Sequence, residues 1–505
     1  MQHRSEKGVH VTAACGFSMP IALFALRVAW IACVLGAAFA LRAANAAGDP
    51  IEGYWLGTAG SDKEKIEVGL EFRRDASGKL LMKLTQPISN YFGADGGEAK
   101  LEGDRVTNEA FALSLTLQGD TLSGTYPGPR SAAALHRVDK LPQEPPLPDV
   151  PTGPAPLWET RLGGQAFATP AVADGVAYIG TTGGVMNAVE TAKGTITWTF
   201  SAGAPIYSAA TVTGDSVYFV CDNGLLYKLD RAKGKETWHY DLGDAAVSRV
   251  LPHPTTFEWD WLAPQPLLAD GVVYVGSGDG SFHAVDAASG QRKWRFATRG
   301  KIRVGAAIDG TRVVFGSNDH FVYSLDRATG KEAWRADTKA DVDGAPLVDA
   351  GRVFIGNRGP GLYALGADSG KELWRLFFWG SWVESTPVMQ DGVLYIGSSD
   401  LARVSAINPD DGHVIWRSHV YGWTWGTPLV TQDRIYAGVA GGTPYFIRHV
   451  AGLVTLDRKT GKLLARWPIA DTGGHQWGIA GSPARSGDSV IVATIAGSLF
   501  AFPMQ

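Results

Sequence analysis

Cysteine is almost missing from this chain, with Cys15, Cys33 and Cys221 the only three among 505 residues. No two cysteines are adjacent and no CxxCH sequence is present, which excludes a disulfide between neighbouring cysteines and the usual attachment of a c-type haem. If an N-terminal leader is removed, Cys221 remains alone. We therefore expect a fold without an intramolecular disulfide, held by packing and hydrogen bonds.

The short motifs of common enzyme classes are missing too. The 11 histidines include no HExxH or HxH pattern, so a metal site would need ligands from distant segments. There is no GxSxG turn, no glycine-rich phosphate loop and no DxDxDG calcium loop. We predict no metal and no cofactor, and an enzyme only if distant loops assemble a site.

The N-terminal apolar run is too short to span a bilayer. It extends over 14 residues, from Val28 to Leu41, whereas a spanning helix needs about 20. Arg27 precedes the run, and Ala44 and Ala46 form the small-x-small pattern that a signal peptidase cleaves. We predict a signal peptide over 1–46 and a periplasmic or secreted mature chain with no membrane span.

Two alternatives remain open for the leader. A lipid anchor on Cys33 is less favoured, because Trp30 is a poor residue three positions before such a cysteine and the apolar run continues past it. Translation from Met19 instead of Met1 is the second alternative.

Positive charge is scarce. The formal net charge is −4, and the leader alone carries +3, so the mature chain would be at about −7. No local cluster of lysine and arginine compensates for this. We therefore exclude nucleic acid as a partner.

Glycine and tryptophan are abundant, with 63 and 17 residues, and eight of the tryptophans recur in phase. Their spacings are 40, 40, 56, 40, 40, 42 and 51 residues, and each of the last seven follows a turn glycine. They are Trp158, Trp198, Trp238, Trp294, Trp334, Trp374, Trp416 and Trp467. A unit of about 40 residues with four short strands is the size of a β-propeller blade.

The last unit stops before its tryptophan strand, and Trp158 precedes the first complete unit. Seven complete units and one split between the two ends predict an eight-bladed propeller over 157–505, closed by pairing its termini. Before it, alternating segments such as 65–84 and 111–126 predict a small β-barrel or sandwich over 47–140. The seven prolines between positions 142 and 156 predict a stiff linker over 141–156. The fold class is therefore all-β.

The repeated "DxxTGxxxW" units and the "DGxVYxGSxDG" runs resemble pyrroloquinoline-quinone-like propeller repeats over about two thirds of the chain. Two groups carry such repeats. The quinoprotein dehydrogenases use the quinone, a catalytic Asp and a calcium ion to oxidise alcohols or sugars. The cofactor-free group, typified by the outer membrane protein assembly factor BamB, consists of periplasmic scaffolds that bind the barrel-assembly machinery. The resemblance predicts the fold and leaves the choice between the groups to the site.

We interpret the eight phased tryptophans as structural, because a tryptophan on the outer strand can cover the backbone of the neighbouring blade. Function is expected where the spacing of 40 is broken. One insertion, 248–264, lies between an outer strand and the next inner strand, and a second, 438–453, lies between the second and third strands of its blade. Both loop types emerge on one face of a four-stranded blade.

Aromatic and charged residues concentrate in the loops of that face. Aligning the blades places a ring around the central channel, at Phe167, Tyr207, Ala263, Arg303, Asp343, Glu384, Trp425 and Ala480. The predicted binding residues are Trp259, Trp261, Arg303, Asp343, Glu384, Trp382, Trp425, His475 and Trp477. Asp260 is the one weak candidate for a catalytic base, beside Glu258 in the same insertion.

The favoured hypothesis is a monomeric, non-catalytic periplasmic scaffold that binds envelope proteins through this face, as in outer-membrane protein assembly. The first alternative is a quinone-dependent dehydrogenase, which would need pyrroloquinoline quinone and calcium. The second is a glycan-binding module that uses the tryptophans. The plainest alternative is that the loop tryptophans only pack the loops.

Overall fold

The computed structural model describes residues 49–60, 64–127, 131–245, 249, 260–359, 361–443, 445, 447–471, 473 and 475–505. The predicted signal peptide 1–46, the lipidation candidate Cys33, and Glu258 and Trp259 of the first insertion lie outside the described residues. Within those ranges the chain is built of strands, with one 3-10 turn at Pro87–Ser89.

The first nine strands form a single antiparallel sheet in the order β4-β3-β2-β1-β9-β8-β7-β6-β5. Their bounds are β1 (Gly53–Gly60), β2 (Lys65–Arg74), β3 (Leu80–Gln86), β4 (Tyr91–Glu98), β5 (Lys100–Glu102), β6 (Arg105–Asn108), β7 (Leu113–Gln118), β8 (Thr121–Thr125) and β9 (Ala132–Val138). Apolar residues alternate along β2, so that Val68, Leu70 and Phe72 all point into the core. The sheet curls into a nearly closed barrel.

One buried side chain bridges the two ends of this sheet. Asn108, at the end of β6, donates from Nδ2 to the carbonyl oxygens of Gly96 (2.8 Å) and Glu98 (2.9 Å) on β4. Its Oδ1 accepts the Phe111 backbone N–H at 2.8 Å. Asn108 therefore satisfies backbone groups that the incomplete ladder leaves without strand partners.

From Trp158 onward the chain forms eight sheets of four strands. Blade 1 contains β11 (Ala171–Ala173), β12 (Val176–Gly180), β13 (Val185–Glu190) and β14 (Thr195–Ser201); blade 2 contains β15 (Thr211–Thr213), β16 (Ser216–Cys221), β17 (Leu225–Asp230) and β18 (Glu236–Asp241); blade 3 contains β19 (Leu267–Ala269), β20 (Val272–Gly276), β21 (Ser281–Asp286) and β22 (Arg292–Ala297); blade 4 contains β23 (Ala307–Asp309), β24 (Arg312–Gly316), β25 (Phe321–Asp326) and β26 (Glu332–Asp337).

The remaining blades follow the same order, with one extra strand. Blade 5 contains β27 (Leu347–Asp349), β28 (Arg352–Gly356), β29 (Gly361–Gly366) and β30 (Glu372–Phe377); blade 6 contains β31 (Val388–Gln390), β32 (Val393–Ile396), β33 (Arg403–Ile407) and β34 (Val414–His419); blade 7 contains β35 (Leu429–Val430), β36 (Arg434–Gly442), β37 (Gly452–Asp457) and β38 (Leu463–Pro468), with β39 (Gln476–Gly478) on β36; blade 8 contains β40 (Ala484–Ser486), β41 (Ser489–Ala493), β42 (Ser498–Pro503) and β10 (Trp158–Arg161).

Blade 8 unites the two ends of the propeller. β10 pairs antiparallel with β42, placing Trp158 opposite Ala501 and Arg161 opposite Ser498. The ring thus has no open sheet edge between its first and last blades. The prediction of an all-β, eight-bladed propeller with a small N-terminal barrel or sandwich is confirmed, and the small domain is the barrel-like alternative.

The phased tryptophans connect each blade to the next. In six of them the indole N–H donates to a backbone oxygen of the following blade, as Trp294 does to Arg327 at 2.9 Å and Trp334 to Ala367 at 2.8 Å. The rings of the first seven lie over the turn glycine of the following blade. The last, Trp467, packs instead on Phe500 and Phe502 of blade 8, at centroid distances of 5.1 and 4.3 Å.

The barrel packs against blades 5 and 6 and shares their hydrophobic core. Phe378 is fully buried and Trp379 is 6% exposed in the cluster that also contains the barrel interior. Trp379 donates from Nε1 to Glu64 Oε2 at 2.9 Å, and its carbonyl accepts the Ser89 hydroxyl at 3.1 Å. The barrel therefore covers part of blades 5 and 6.

The proline-rich linker runs along blade 7. The Gly153 N–H donates to the Arg466 carbonyl at 2.9 Å, and the Arg466 N–H donates to Pro151 at 3.0 Å. Glu144 forms an ion pair with Arg448 at 3.1 Å. In the part of the chain that the structure describes, no helix combines the length and apolarity needed to cross a bilayer.

Candidate functional site at the channel mouth

Two kinds of loop form one face of the propeller. In each blade the strands run from inner to outer as A, B, C and D, and the inner strands of adjacent blades contact one another, as β11 contacts β15 and β40. The B–C loops and the D–A loops between blades emerge on the same side. Both insertions lie in such loops, and we call this side the insertion face. The end of the central channel on this side is the channel mouth.

Charged side chains of blades 2 to 4 line one part of the channel mouth. Asp260, from the first insertion, accepts hydrogen bonds from Arg303 Nε at 2.7 Å and from Lys301 Nζ at 2.6 Å. Arg249 approaches the same carboxylate at 4.0 Å and forms an ion pair with Asp222 at 2.6 Å. Asp260 therefore faces three cations from two different segments of the chain.

A second ion-pair group continues this arc through blades 5 and 6. Arg358, in the B–C loop of blade 5, lies 2.6 Å from Asp343 and 2.9 Å from Glu384. Its guanidinium also lies over the Trp382 ring at 4.6 Å. Asp343 is 2% exposed and Glu384 is 5% exposed. A single cation thus neutralises much of the negative charge of two buried carboxylates.

Burial and charge shift the proton affinities of these acids in opposite directions. Burial raises the pKa of Asp343. Burial also raises the pKa of Asp341, to about 6, and the negative charge of Asp343 acts in the same direction. Burial acts in the same sense on Asp260, but the hydrogen bonds and charges of Arg303 and Lys301 outweigh it and lower the pKa of Asp260. A carboxylate held ionised by several cations is a weak proton acceptor, so its contacts favour a structural role over that of a base.

Aromatic side chains fill the other part of the channel mouth. Trp261 lies 5.7 Å from Phe167 of the loop before blade 1 and 5.3 Å from Trp425 of the loop before blade 7. The insertion that carries Trp261 starts between blades 2 and 3, so it reaches across the mouth. Trp425 in turn stacks on Trp423 at 4.8 Å with an interplanar angle of 14°. This packing fills that part of the channel mouth with aromatic side chains.

The second insertion packs on the same aromatic cluster. Tyr445 lies edge-on to Trp423 at 4.9 Å, and His449 lies 4.4 Å from the same ring. Asp400 accepts hydrogen bonds from Trp423 Nε1 at 2.9 Å and from the Tyr445 hydroxyl at 2.8 Å. Burial lowers the pKa of His449 to about 4, so its imidazole is neutral at pH 7.

The extra strand β39 positions Trp477, another of the predicted binding residues. β39 pairs with the end of β36 and sets Trp477 opposite Gly441. A Cβ at Gly441 would lie 2.8 Å from the His449 Cβ and 3.0 Å from the Trp477 ring, so the two side chains together leave room only for glycine there.

Most of the predicted binding residues are buried. Trp261, Trp382, Trp425, Trp477, Arg303, Asp343 and Glu384 are at most 7% exposed, whereas His475 is exposed. The ring positions do come together: Phe167, Tyr207, Trp425 and Ala480 share one hydrophobic cluster with Ala263 packed against it, and Arg303, Asp343 and Glu384 belong to the ion-pair arc. Whether these residues bind a partner stays a prediction.

Sequence reasoning did not single out the two arginines that organise the charged arc. The B–C turn reads "SGDG" in blade 3 and "SNDH" in blade 4, but "NRGP" in blade 5. This break in the repeat could have identified Arg358. Arg249 had no such signal, since its partners Asp222 and Asp260 lie in different loops.

Pyrroloquinoline quinone with calcium, which a quinoprotein would require, does not fit the described side chains of the mouth. Asp260, Asp343 and Glu384 already face guanidinium or ammonium groups. Nowhere in the described ranges do three or more histidine, cysteine, aspartate or glutamate side chains meet in a way that suits a metal ion. The expectation that the protein needs no cofactor stays a prediction.

The fold and its repeats define the class as a propeller of pyrroloquinoline-quinone-like repeats. The family described as "Outer membrane protein assembly factor BamB" matches residues 151–213, 201–321 and 318–505. The chain belongs to this family, and the resemblance predicted from the repeats is confirmed.

Individual relatives are distant. BamB of Yersinia pestis is 25% identical over 138 residues, which are 27% of this chain and only 35% of that protein. The structure of BamB from Moraxella catarrhalis matches with a TM-score of 0.53 at 20% identity and covers 70% of this chain and 98% of that one. A europium-containing methanol dehydrogenase matches with a TM-score of 0.56 at 13% identity, over 69% of this chain and 93% of that one. At these identities the structures share the fold alone.

Proposed function

We propose that the protein is a non-catalytic scaffold of the periplasm that binds envelope proteins through its insertion face, in a BamB-like role in outer-membrane protein assembly. The family supports this proposal. The observation that carries it is the filled channel mouth, where aromatic rings occupy one part and each of Asp260, Asp343 and Glu384 is paired with a cation in the other. Such a surface is a rigid platform for a partner rather than a cavity for a substrate.

The exposed residues of the insertion face are the expected contacts. His475, Arg299 and Lys339 are exposed in D–A loops, and the Arg448 side chain is 45% exposed in the second insertion. The buried tryptophans would then hold the two insertions in place. Their burial also argues against sugar stacking, which needs an accessible ring.

Affinity purification from the native cell envelope, followed by mass spectrometry, tests the proposal. Lys339→Glu reverses a charge on the insertion face of blade 4, and Lys331→Glu makes the same change in the C–D turn on its opposite face. We expect K339E to lose a captured outer-membrane assembly protein and K331E to retain it. Equal capture by both variants would argue against the insertion face.

The competing dehydrogenase is tested separately. The chain is incubated with pyrroloquinoline quinone and calcium and assayed with an artificial electron acceptor on primary alcohols and aldose sugars. We expect no dye reduction above the control without protein. Turnover that saturates with quinone would overturn the non-catalytic proposal.

A further inference from the structure

In four consecutive blades, 3 to 6, an arginine directly follows the phased tryptophan. One of these four arginines is buried, whereas the other three are exposed. The side chains of Arg295, Arg335 and Arg375 are 46%, 53% and 36% exposed. The side chain of Arg417, at the same strand position in blade 6, is only 7% exposed, because the barrel lies over β34. Docking of the barrel therefore buries a guanidinium that the other blades leave in solvent.

Arg417 lines a cleft of about 770 Å³ between the barrel and blade 6. Its walls include Glu64, Ile88, Leu376, Arg403, Ile415 and Arg417. A volume of this size is in the range of sites that take a small organic ligand. The cleft is separate from the channel mouth.

The buried guanidinium of Arg417 is only partly satisfied. Its Nη1 contacts Glu64 Oε1, and the guanidinium lies 5.4 Å from the Phe378 ring. Its Nε and Nη2 are buried without a hydrogen-bond acceptor among the described residues. Buried guanidinium N–H groups are normally paired, since leaving one unpaired is unfavourable.

A second arginine lies beside it. Arg403 starts β33, where blades 3 to 5 carry Ser281, Phe321 and Gly361. It donates from Nε to the Ile88 carbonyl at 3.1 Å, and no ion pair to it occurs among the described residues. Burial and the positive charge of Arg417 lower the pKa of Arg403 to about 10, and it remains a cation at pH 7.

Acidic groups do not balance this pair. Glu64 is the one carboxylate that contacts either guanidinium among the described residues. Asp411 also borders the cleft, but it is exposed at the rim and its carboxylate accepts the His413 backbone N–H at 2.9 Å. Among the described side chains, the deep part of the cleft thus has two cations for one anion.

We propose that this cleft binds a small organic anion, whose carboxylate or phosphate lies between Arg403 and Arg417 and whose apolar part lies against Ile88, Leu376 and Ile415. Guanidinium groups pair well with such anions through charge-assisted hydrogen bonds. The apolar wall selects an anion with a hydrocarbon or aromatic portion over inorganic phosphate. This site goes beyond the proposed scaffold function and does not depend on it.

The fluorescent probe 8-anilinonaphthalene-1-sulfonate carries an anion on an aromatic body and suits the cleft. We expect saturable fluorescence enhancement with one probe per chain. Decanoate should displace the probe, whereas decanol and inorganic phosphate should displace it at least about tenfold less well, since each supplies only one of the two contacts. Displacement by decanol equal to that by decanoate would overturn the anion site.

Three variants test whether the probe binds in this cleft. We expect Arg417→Met to weaken binding by about tenfold or more, because it removes the charge-assisted contact. Arg335→Met, at the same strand position in blade 4, should bind as the wild type does. Ile415→Glu introduces a negative charge at a 49% exposed wall residue and should weaken binding equally, which keeps the test independent of the buried pair. Unchanged binding by R417M or I415E, with the fold checked by circular dichroism, would overturn the proposal.

Discussion

The turn glycines of the repeat face the indole of the preceding blade with no room for a methyl group. A Cβ at Gly330 would lie 2.7 Å from the Trp294 ring, and one at Gly234 would lie 2.4 Å from the Trp198 ring. Both glycines also have positive φ, at 70° and 63°. Sterics and backbone conformation therefore both require glycine, and this explains why the turn and the tryptophan recur together.

Two alanine substitutions separate the two requirements. Gly310 has a φ of 55° and nothing within 4 Å of its Cβ position, whereas Gly330 has the indole contact as well. Gly310→Ala should destabilise by about 1 kcal/mol for the backbone alone. Gly330→Ala should destabilise by a further ~2 kcal/mol through overpacking. Urea unfolding measures both, and equal losses would show that the indole adapts freely.

The carboxyl of Asp341 makes stability depend on pH. Its pKa is raised from 3.8 to about 6 in the folded chain, so the folded state binds its proton more tightly than the unfolded state. The associated stability is present below about pH 4 and is lost as pH rises to about 6. The Asp341→Asn variant cannot ionise at this position, so its free energy of unfolding should exceed that of the wild type by about 2 kcal/mol at pH 7. At pH 4 the two free energies should be equal. A difference in unfolding free energy that does not change between these pH values would contradict the assignment.

At the scale of elements, loops and strand ends are held by single polar side chains. Asn108 connects β6 to β4 where the barrel is not closed by a continuous ladder. Asp400 holds Trp423 and the second insertion in the same way at the channel mouth. Each side chain supplies hydrogen bonds that regular strand pairing does not provide.

Substitutions at Asn108 test this role. Asn108→Ala removes both donors and the acceptor for the Phe111 N–H, and should destabilise the barrel by about 2 kcal/mol. Asn108→Asp keeps the acceptor but turns a carboxylate oxygen toward the Gly96 and Glu98 carbonyls, so it should be at least as destabilising. Ser123→Ala, at an exposed position of β8, serves as the control in thermal unfolding. An N108D variant as stable as the wild type would show that the contact between β6 and β4 does not depend on these donors.

The blade pattern was predictable because seven of the eight phased tryptophans make the same contact with a turn glycine, 36 to 52 residues later in the chain. The ring positions around the channel followed from the same phase. The contact of Trp261 with Phe167 and Trp425 was not predictable, since an insertion has no repeat to set its direction. Burial of Arg417 was equally hidden, because the sequence alone does not indicate which blades the barrel covers.

At the scale of the whole molecule, the barrel and blades 5 and 6 share one hydrophobic core. The cluster runs from Leu70 and Phe72 in the barrel to Phe378 and Trp379 in the propeller. A shared core couples the stability of two domains that differ in fold. The linker contacts on blade 7 add a second attachment.

This coupling predicts a single cooperative thermal transition for the intact chain in calorimetry. Trp379→Ala removes the indole and its hydrogen bond to Glu64, and should split the transition or lower the midpoint of its barrel component. Leu373→Ala, at a 51% exposed position of blade 5, should leave one transition unchanged. Two transitions in the wild type would contradict the coupling.

The pairing of β10 with β42 has a kinetic consequence. Trp158 and Ala501 are roughly 340 positions apart in the chain, so the last blade forms only after nearly the whole propeller segment has been ordered or brought together. The same contact resists opening, because the ring unravels from neither end until this pair separates. We therefore expect slow folding and a long native lifetime to share one origin, and resistance to proteases to depend on the rate at which this one blade opens.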